Sequence, residues 1–423
     1  MKTKEEKIIK KEKSVKTDEK QESNIKSVIK EVPTGFNIYE VLVIIGITLL
    51  FGVLIGCTIN FNGKIVPNGN TNIISKDLKE LESTYNNIIE NYYDNINKKE
   101  LMDAAIKGMV DYLGDPYSDF MDQEQSQAFN ELVEGKYTGI GCEITMSWDG
   151  IATIKKPYDN SPSQKAGLEI GDIILAVDDK VIENMTANEL ANLVRGKSGT
   201  KVIIKIKRKE EVKEITIERG TINIESVTSN IYEMNDKKIG YINIEIFAGN
   251  TFKQFETKLK DLESKKIDKL IIDVRDNGGG YLTTVSEILS MFMDKSKVLY
   301  QLDTKGKKEK IYSFTKEKRN IEVAVLINQV SASASEILAG AFKESYGAHI
   351  IGVNTFGKGT VQKTYDLGEG KIIKYTVQKW LTPNGNWIDK LGIEPTIKVE
   401  MDLSPQTEEV DEQLQRAILE LSK

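Results

Sequence analysis

Residues 41–59 form a run of 19 residues without a charge, and no other stretch constrains the chain as much. As an α-helix it is about long enough to cross the roughly 30 Å hydrocarbon core of a bilayer. Residues 1–35 carry ten lysines and seven acids with almost no apolar periodicity, which reads as a disordered, solvated tail. A core helix so uniformly apolar would need covering elements around it, and such a tail supplies none. Residues 36–60 are therefore expected to be a transmembrane anchor touching lipid through residues 41–59. The lysine-rich tail ahead of the run, against a lone Lys64 behind it, places residues 1–35 in the cytoplasm and the rest outside. Leu54-Ile55-Gly56-Cys57 has the form of a lipoprotein cleavage site at Cys57. An acid-containing leader of about 40 residues is too long for a signal peptide, which favours an uncleaved anchor.

A chain of 423 residues exceeds what one hydrophobic core serves, so two or three folded units are expected. Its net charge of -6 and the lack of a basic stripe with interleaved aromatics argue against nucleic acid as a partner. Cys57 and Cys142 are too few for a disulfide framework. The single histidine, His349, excludes metal sites built on several histidines and points to a general base that is not histidine. No metal or cofactor is implied.

Apolar residues at helical spacing predict two helices over residues 78–113, the second stopped by Gly114-Asp115-Pro116, within an amino-terminal helical element over 72–130. Residues 134–220 change to short apolar runs at 139–144, 171–177, 202–206 and 212–217. These read as strands, with helical stretches opening at Ser161-Pro162 and Thr186. After Lys238, within a unit over 221–402, strands and helices alternate, the pattern of a largely parallel sheet covered by helices. A final amphipathic helix is expected within 403–423. The whole is an α+β multidomain chain.

Three segments in the α/β part depart from ordinary connections. Asp276-Asn277-Gly278-Gly279-Gly280 follows an apolar strand, and its glycines let backbone amides point outward toward an oxyanion. Ser331-Ala332-Ser333-Ala334-Ser335-Glu336 opens a helix after another strand; helix capping and an exposed nucleophile are both open readings of it. The segment 352–362 nearly spells a phosphate-binding loop, but Gly359 stands where a Mg²⁺ ligand is required and no helix-forming run follows, which demotes an ATPase. Lys358 in that segment could act as a base if burial lowers its pKa from about 10.4 toward roughly 7 to 8. Gln362, four residues on, could hold the amine by a hydrogen bond.

Ser-Ala-Ser-Ala-Ser-Glu, Phe-Gly-Lys-Gly-Thr-Val-Gln with Lys358 placed 25 residues after Ser333, and Lys379-Trp380-Leu381-Thr382-Pro383-Asn384-Gly385 together resemble the carboxy-terminal processing peptidases, or tail-specific proteases. The resemblance covers nearly all of the chain beyond the anchor, including Gly114-Asp115-Pro116-Tyr117-Ser118 and a PDZ-like loop at Thr138, Gly139, Ile140 and Gly141. It implies a PDZ-like domain over 134–220 placed before a crotonase-like serine peptidase core over 221–402. It further implies Ser333 as nucleophile, Lys358 as base, Gln362 as its orienting residue, and backbone amides of Gly279 and Ala334 as oxyanion hole. Substrates would be proteins or peptides with free carboxyl termini, captured as an added strand. Arg195, ending a helix of the PDZ-like module, would link peptide binding to the active site. Homodimerisation and location at a bacterial cytoplasmic membrane are implied in the same way. The chain departs from the family in reading Asp276-Asn277-Gly278 where members often carry Asn-Asn-Pro, and in placing Cys142 after Gly141.

A β-lactamase-type site at Ser313-Phe314-Thr315-Lys316 lacks its partner motifs. A catalytically inactive PDZ scaffold would have lost the serine or the lysine, and both are present.

Overall fold

The computed structural model describes residues 71–183, 185–316, 318–400 and 411–423. The tail and the anchor lie outside these residues, and no helix among them is long and apolar enough to cross a membrane. The chain divides into two compact units after Ile96. In the first, the described residues form helix α1 (Thr71–Asn91), with Leu78, Leu81, Ile88 and Tyr92 exposed.

The second unit opens with α2 (Lys98–Asp111), whose first N–H groups donate to the Asn97 side chain. After the Gly114-Asp115-Pro116 turn come an edge strand, β1 (Asp119–Met121), and α3 (Gln123–Glu134), which starts in a capping box between Asp122 and Gln125. Sequence periodicity did not predict α3, because Phe129, Leu132 and Val133 are the only large apolar residues in its twelve.

Strand β2 (Lys136–Gly139) leads into a β-rich module. Its strands are β3 (Cys142–Met146), β4 (Ala152–Pro157), β5 (Ile173–Val177), β6 (Lys180–Val181), β7 (Lys201–Arg208) and β8 (Glu211–Glu218), with helices α4 (Pro162–Lys165) and α5 (Ala187–Val194) at the predicted Ser161 and Thr186 caps. Strand β9 (Gly220–Asn223) returns to pair with β2, so the chain enters and leaves the module through one ribbon. Val202, Ile204 and Ile206 alternate into the module's own core while Lys201, Ile203 and Lys205 face outward, the period-2 signature of a half-buried sheet.

The remaining elements are β10 (Val227–Met234), β11 (Lys237–Ile244), α6 (Thr251–Ser264), β12 (Lys269–Asp273), α7 (Leu282–Ser290), β13 (Val298–Thr304), β14 (Lys307–Tyr312), β15 (Glu322–Ile327), α8 (Ala334–Ala341), β16 (His349–Gly352), β17 (Thr360–Gly368), β18 (Lys371–Leu381), β19 (Ile397–Lys398) and α9 (Glu412–Leu421). The central sheet runs β10-β11-β12-β15-β16-β19 and is parallel apart from β10. One face packs on α6, α7 and α8 and the other on α9, so β12 and β15 are buried on both sides and read as unbroken apolar runs. A second sheet, β1-β18-β13-β14 with β17 on the other edge of β18, was not predicted. Its strands β14 and β17 are rich in charged and polar residues and lack apolar runs.

Arg275 pins α9 to the sheet: its Nη2 lies 2.6 Å from Asp273 Oδ2 and 2.7 Å from Asp411 Oδ2, all three side chains being largely buried. Arg275→Ala would strand two carboxylates without a counter-charge, and a loss of about 3–5 kcal/mol in unfolding free energy is expected. A lower urea midpoint at unchanged m would register it; an unshifted midpoint would show that the pair contributes nothing.

Candidate active site

The three serines of the Ser-Ala-Ser-Ala-Ser run have different environments. Ser331 and Ser335 are fully buried, and their hydroxyls donate to the carbonyls of Val274 (2.8 Å) and Asn277 (2.8 Å). They hold the helix start against the glycine-rich loop. Ser333 is the partly accessible one. It precedes α8 with φ 55 and ψ −111, whereas the capping residues Asn97, Asp122, Ser161 and Thr186 are all extended. A non-glycine residue held there is strained by about 1–3 kcal/mol, which a simple helix cap does not require.

Glu336 joins the serine to the lysine. Its side chain has no exposed surface, and its Oε2 accepts the backbone N–H of Ser333 (2.8 Å) and of Lys358 (2.9 Å). Its Oε1 accepts Thr355 Oγ1 (2.6 Å) and the Gly357 N–H (2.7 Å). Burial pushes the Glu336 carboxyl above its ordinary range, and the four donors oppose that shift. The loop is gripped from the far side by two indoles: Trp380 Nε1 donates to the Lys358 carbonyl (2.7 Å) and Trp387 Nε1 to that of Gly359 (2.9 Å). It continues into strand β17 rather than a helix, so it lacks the helix N-terminus on which a phosphate-binding loop depends.

The Lys358 amine is half-buried and lies 4.6 Å from the ring centroid of Tyr117. Burial lowers its pKa, and the charge of Lys374 adds to that, against opposing pulls from Asp115 and Glu336. Gln362, predicted to orient the amine, donates from Nε2 to the hydroxyls of Thr360 (3.0 Å) and Thr376 (3.0 Å). Thr376 in turn donates to Asp115 Oδ2 (2.6 Å).

Gly279 lies beside Ser333: a Cβ on it would come within 2.8 Å of Ser333 Cβ and 3.1 Å of the Ala334 nitrogen, at a φ of +106 that only glycine adopts readily. Its own N–H donates to Asn277 Oδ1 (2.8 Å), so an oxyanion would have to share or displace that bond. The Ala334 N–H belongs to the first residue of α8 and is one of the donors a helix start leaves without an i−4 carbonyl. His349 starts β16, 3.7 Å from Glu322 and apart from this constellation.

In the β-rich module a groove of 370 Å³ runs between β3 and α5, lined among others by Ile140, Cys142, Ile144, Leu190 and Val194. Among the described residues strand β3 pairs on one side only, with β4, leaving a free edge. Thr138 and Gly139 belong to the β2–β9 ribbon, so the turn itself is made by Ile140 and Gly141 (φ 73). Burial pushes the Cys142 thiol up to about 12. Arg195 caps the end of α5, 3.2 Å from Glu131 of α3 and 5.6 Å from the Tyr137 ring centroid.

The roles of Glu336, Tyr117, Thr376 and Asp115 escaped sequence reasoning. The Ser-x-x-Glu spacing of a capping box would have singled out Glu336. For the other three, which come together only through sheet pairing, the sequence holds no local signal.

Similarity to known proteins identifies the family. The Peptidase family S41 profile matches residues 238–399, the PDZ domain profile residues 153–208, and that of the activating protease CtpB N-terminal domain residues 62–125. The carboxy-terminal processing protease CtpB of Bacillus subtilis (strain 168) is 39% identical over 327 residues, 77% of this chain and 68% of that protein. The carboxy-terminal processing protease CtpA of the same organism is 37% identical over 363 residues, 84% and 77% of the two chains. Among solved structures, a photosystem II D1 C-terminal processing protease aligns at 25% identity with a TM-score of 0.47, covering 78% of this chain and 89% of that one. The chain therefore belongs to peptidase family S41, as a PDZ-containing serine peptidase of the carboxy-terminal processing type.

Proposed function

We propose that the chain is a membrane-anchored endopeptidase that captures the carboxyl-terminal end of a protein in its PDZ groove and cuts it with a Ser333–Lys358 dyad. The observation that carries this reading is the Glu336 carboxylate, which accepts the backbone N–H of both residues and so holds nucleophile and base in one frame. Ser333 Oγ attacks the scissile carbonyl, neutral Lys358 takes its proton and then passes it to the leaving amine, and water repeats the cycle on the acyl-enzyme. The amides of Ala334 and Gly279 serve the oxyanion, the latter once shared with Asn277. The free edge of β3 takes the peptide as an added strand, and the apolar walls of the groove favour an apolar terminal residue. Arg195, tied to Glu131 and Tyr137, joins the groove-forming helix to α3 and is suited to relay peptide binding toward the core. Residues 41–59 hold the enzyme in the cytoplasmic membrane of a bacterium, with residues 1–35 inside.

The test is cleavage of an unfolded protein ending in an apolar residue by the full chain in detergent, against the same protein amidated at its carboxyl terminus. Amidation is expected to raise KM strongly. A base must be neutral to act, so kcat/KM is expected to rise with pH along a limb centred below the ordinary lysine value of about 10.4, because burial lowers the Lys358 pKa. Equal cleavage of both substrates would rule out terminal recognition, and a flat pH profile would rule out the lysine.

A further inference from the structure

We infer that Asp115 and Thr376 are positioning residues for the base: they fix the side-chain amide of Gln362 so that its carbonyl oxygen, rather than its NH2, is the face left for the Lys358 amine. The inference rests on Lys358 being the base and deepens that reading.

The argument follows the hydrogens. Asp115 accepts from Ser118 Oγ (2.5 Å), Thr376 Oγ1 (2.6 Å) and the Tyr117 N–H (3.2 Å). Burial pushes its carboxyl up, but these donors prevail and hold it below the ordinary range, so it is ionised and has no proton to give. The Thr376 hydroxyl must therefore spend its one hydrogen on Asp115 and can only accept from Gln362, 3.0 Å away. The Gln362 atom facing Thr376 must be nitrogen. The second hydrogen of that NH2 goes to Thr360 Oγ1, also at 3.0 Å. Both donors of the amide are committed, and Oε1 is left on its opposite side.

The pairing is built into the sheet. Val361 faces Gln378 while Gln362 faces Thr376, so a bulge skips Val377. Without it, Gln362 would lie opposite a valine that cannot accept a hydrogen bond. Bulges beside active sites re-aim side chains in this way. Strand β1 pairs with β18 through Asp119 and Lys374, two residues from Thr376, which brings the turn carrying Asp115, Tyr117 and Ser118 onto the same place.

The direction of the amide matters because a neutral amine takes the serine proton with its lone pair. An amide NH2 would donate into that lone pair and block it, whereas a carbonyl accepts one amine N–H and leaves the lone pair free for Ser333. The groups acting on the amine are Tyr117 and Asp115 from the turn, Glu336 from α8 and Lys374 from β18, with Asp389 acting on Tyr117. Of these, Asp115 also reaches Gln362, through Thr376.

The test uses the full chain in detergent and compares Thr376→Val, Thr376→Ser, Asp115→Asn and Lys358→Ala, each checked for an intact thermal transition. Thr376→Val releases the amide; kcat is expected to fall on the order of tenfold to a hundredfold. KM should change little, and the pH limb should move lower because an NH2 donating to the amine disfavours its protonation. Asp115→Asn lets the hydroxyl reverse and should do the same, whereas Thr376→Ser keeps the hydroxyl and should restore both rate and pH limb. Wild-type rate and pH limb in Thr376→Val would overturn the inference, as would a loss in Thr376→Ser equal to that in the valine variant. A Lys358→Ala protein that still cleaves would overturn the base assignment itself, a separate failure from the first two.

Discussion

Replacing Ser333 by alanine is expected to lower the cleavage rate by about 10,000-fold or more, and Lys358→Ala by a similar factor, with the double variant little worse than either single one. The non-additivity follows from the chemistry: without the nucleophile there is no proton for the lysine to take, and without the base the serine hydroxyl is a poor nucleophile at neutral pH. A factor of 10,000 corresponds to about 5.5 kcal/mol of lost transition-state stabilisation, more than loss of an ordinary hydrogen bond supplies and in the range for removal of a covalent step. Folding should survive in both variants. Ser333 is partly accessible, its flanking serines carry the structural hydrogen bonds, and the Lys358 contacts that hold the loop come from its backbone N–H and C=O. Single-turnover cleavage of a quenched fluorescent peptide measures the rates. Losses that multiply in the double variant would mean that the two residues act independently, and the dyad would have to be abandoned.

Glu336→Gln should come next in size, with a loss of activity of at least about a hundredfold while the protein remains folded. The carboxylate offers two oxygens to four donors: one serves Ser333 and Lys358, the other Thr355 and Gly357. A glutamine replaces one oxygen with an NH2: turned toward Ser333 and Lys358 it opposes two backbone N–H donors, and turned the other way it opposes the Gly357 N–H even if the Thr355 hydroxyl reverses to accept. Each buried donor left unsatisfied costs about 1–3 kcal/mol. The chain can relieve that strain by moving the Ser333 turn away from the Lys358 loop, which is the separation the reaction cannot tolerate. Glu336→Ala, which leaves all four donors in a site with no exposed surface, should in addition lower the unfolding midpoint clearly below that of the glutamine variant. Stability measured by urea unfolding separates the two effects. A glutamine variant with full activity would show that the shared carboxylate is a helix cap and nothing more.

The order of elements and their type were legible wherever burial imposes a simple period on the residues. Strands β12 and β15, buried on both faces, appear as unbroken apolar runs; β7 alternates because one face is wet; α4 and α5 announce themselves by Ser161 and Thr186. The same reasoning missed α3, whose few apolar residues leave little periodicity, and the charged strands β14 and β17, which exist because β13 and β18 offer them hydrogen-bonding edges. At the site, short motifs singled out Ser333 and Lys358 as candidates because a glycine-rich turn and a serine-rich helix start are chemical signals carried by adjacent residues. Which of the three serines stands free was settled only in the fold, where the carbonyls of Val274 and Asn277 take up the other two. The same holds for the partners of the lysine. Asp115 and Thr376 are 261 positions apart in the chain and touch because β1 pairs with β18, and a single skipped residue in the β17–β18 register decides that Gln362 meets a threonine instead of a valine. Sequence by itself determined the chemistry available along the chain, since residue type and local spacing set it. The tertiary structure alone decided which groups share hydrogens, because hydrogen-bond direction depends on register and burial that no local stretch of residues contains.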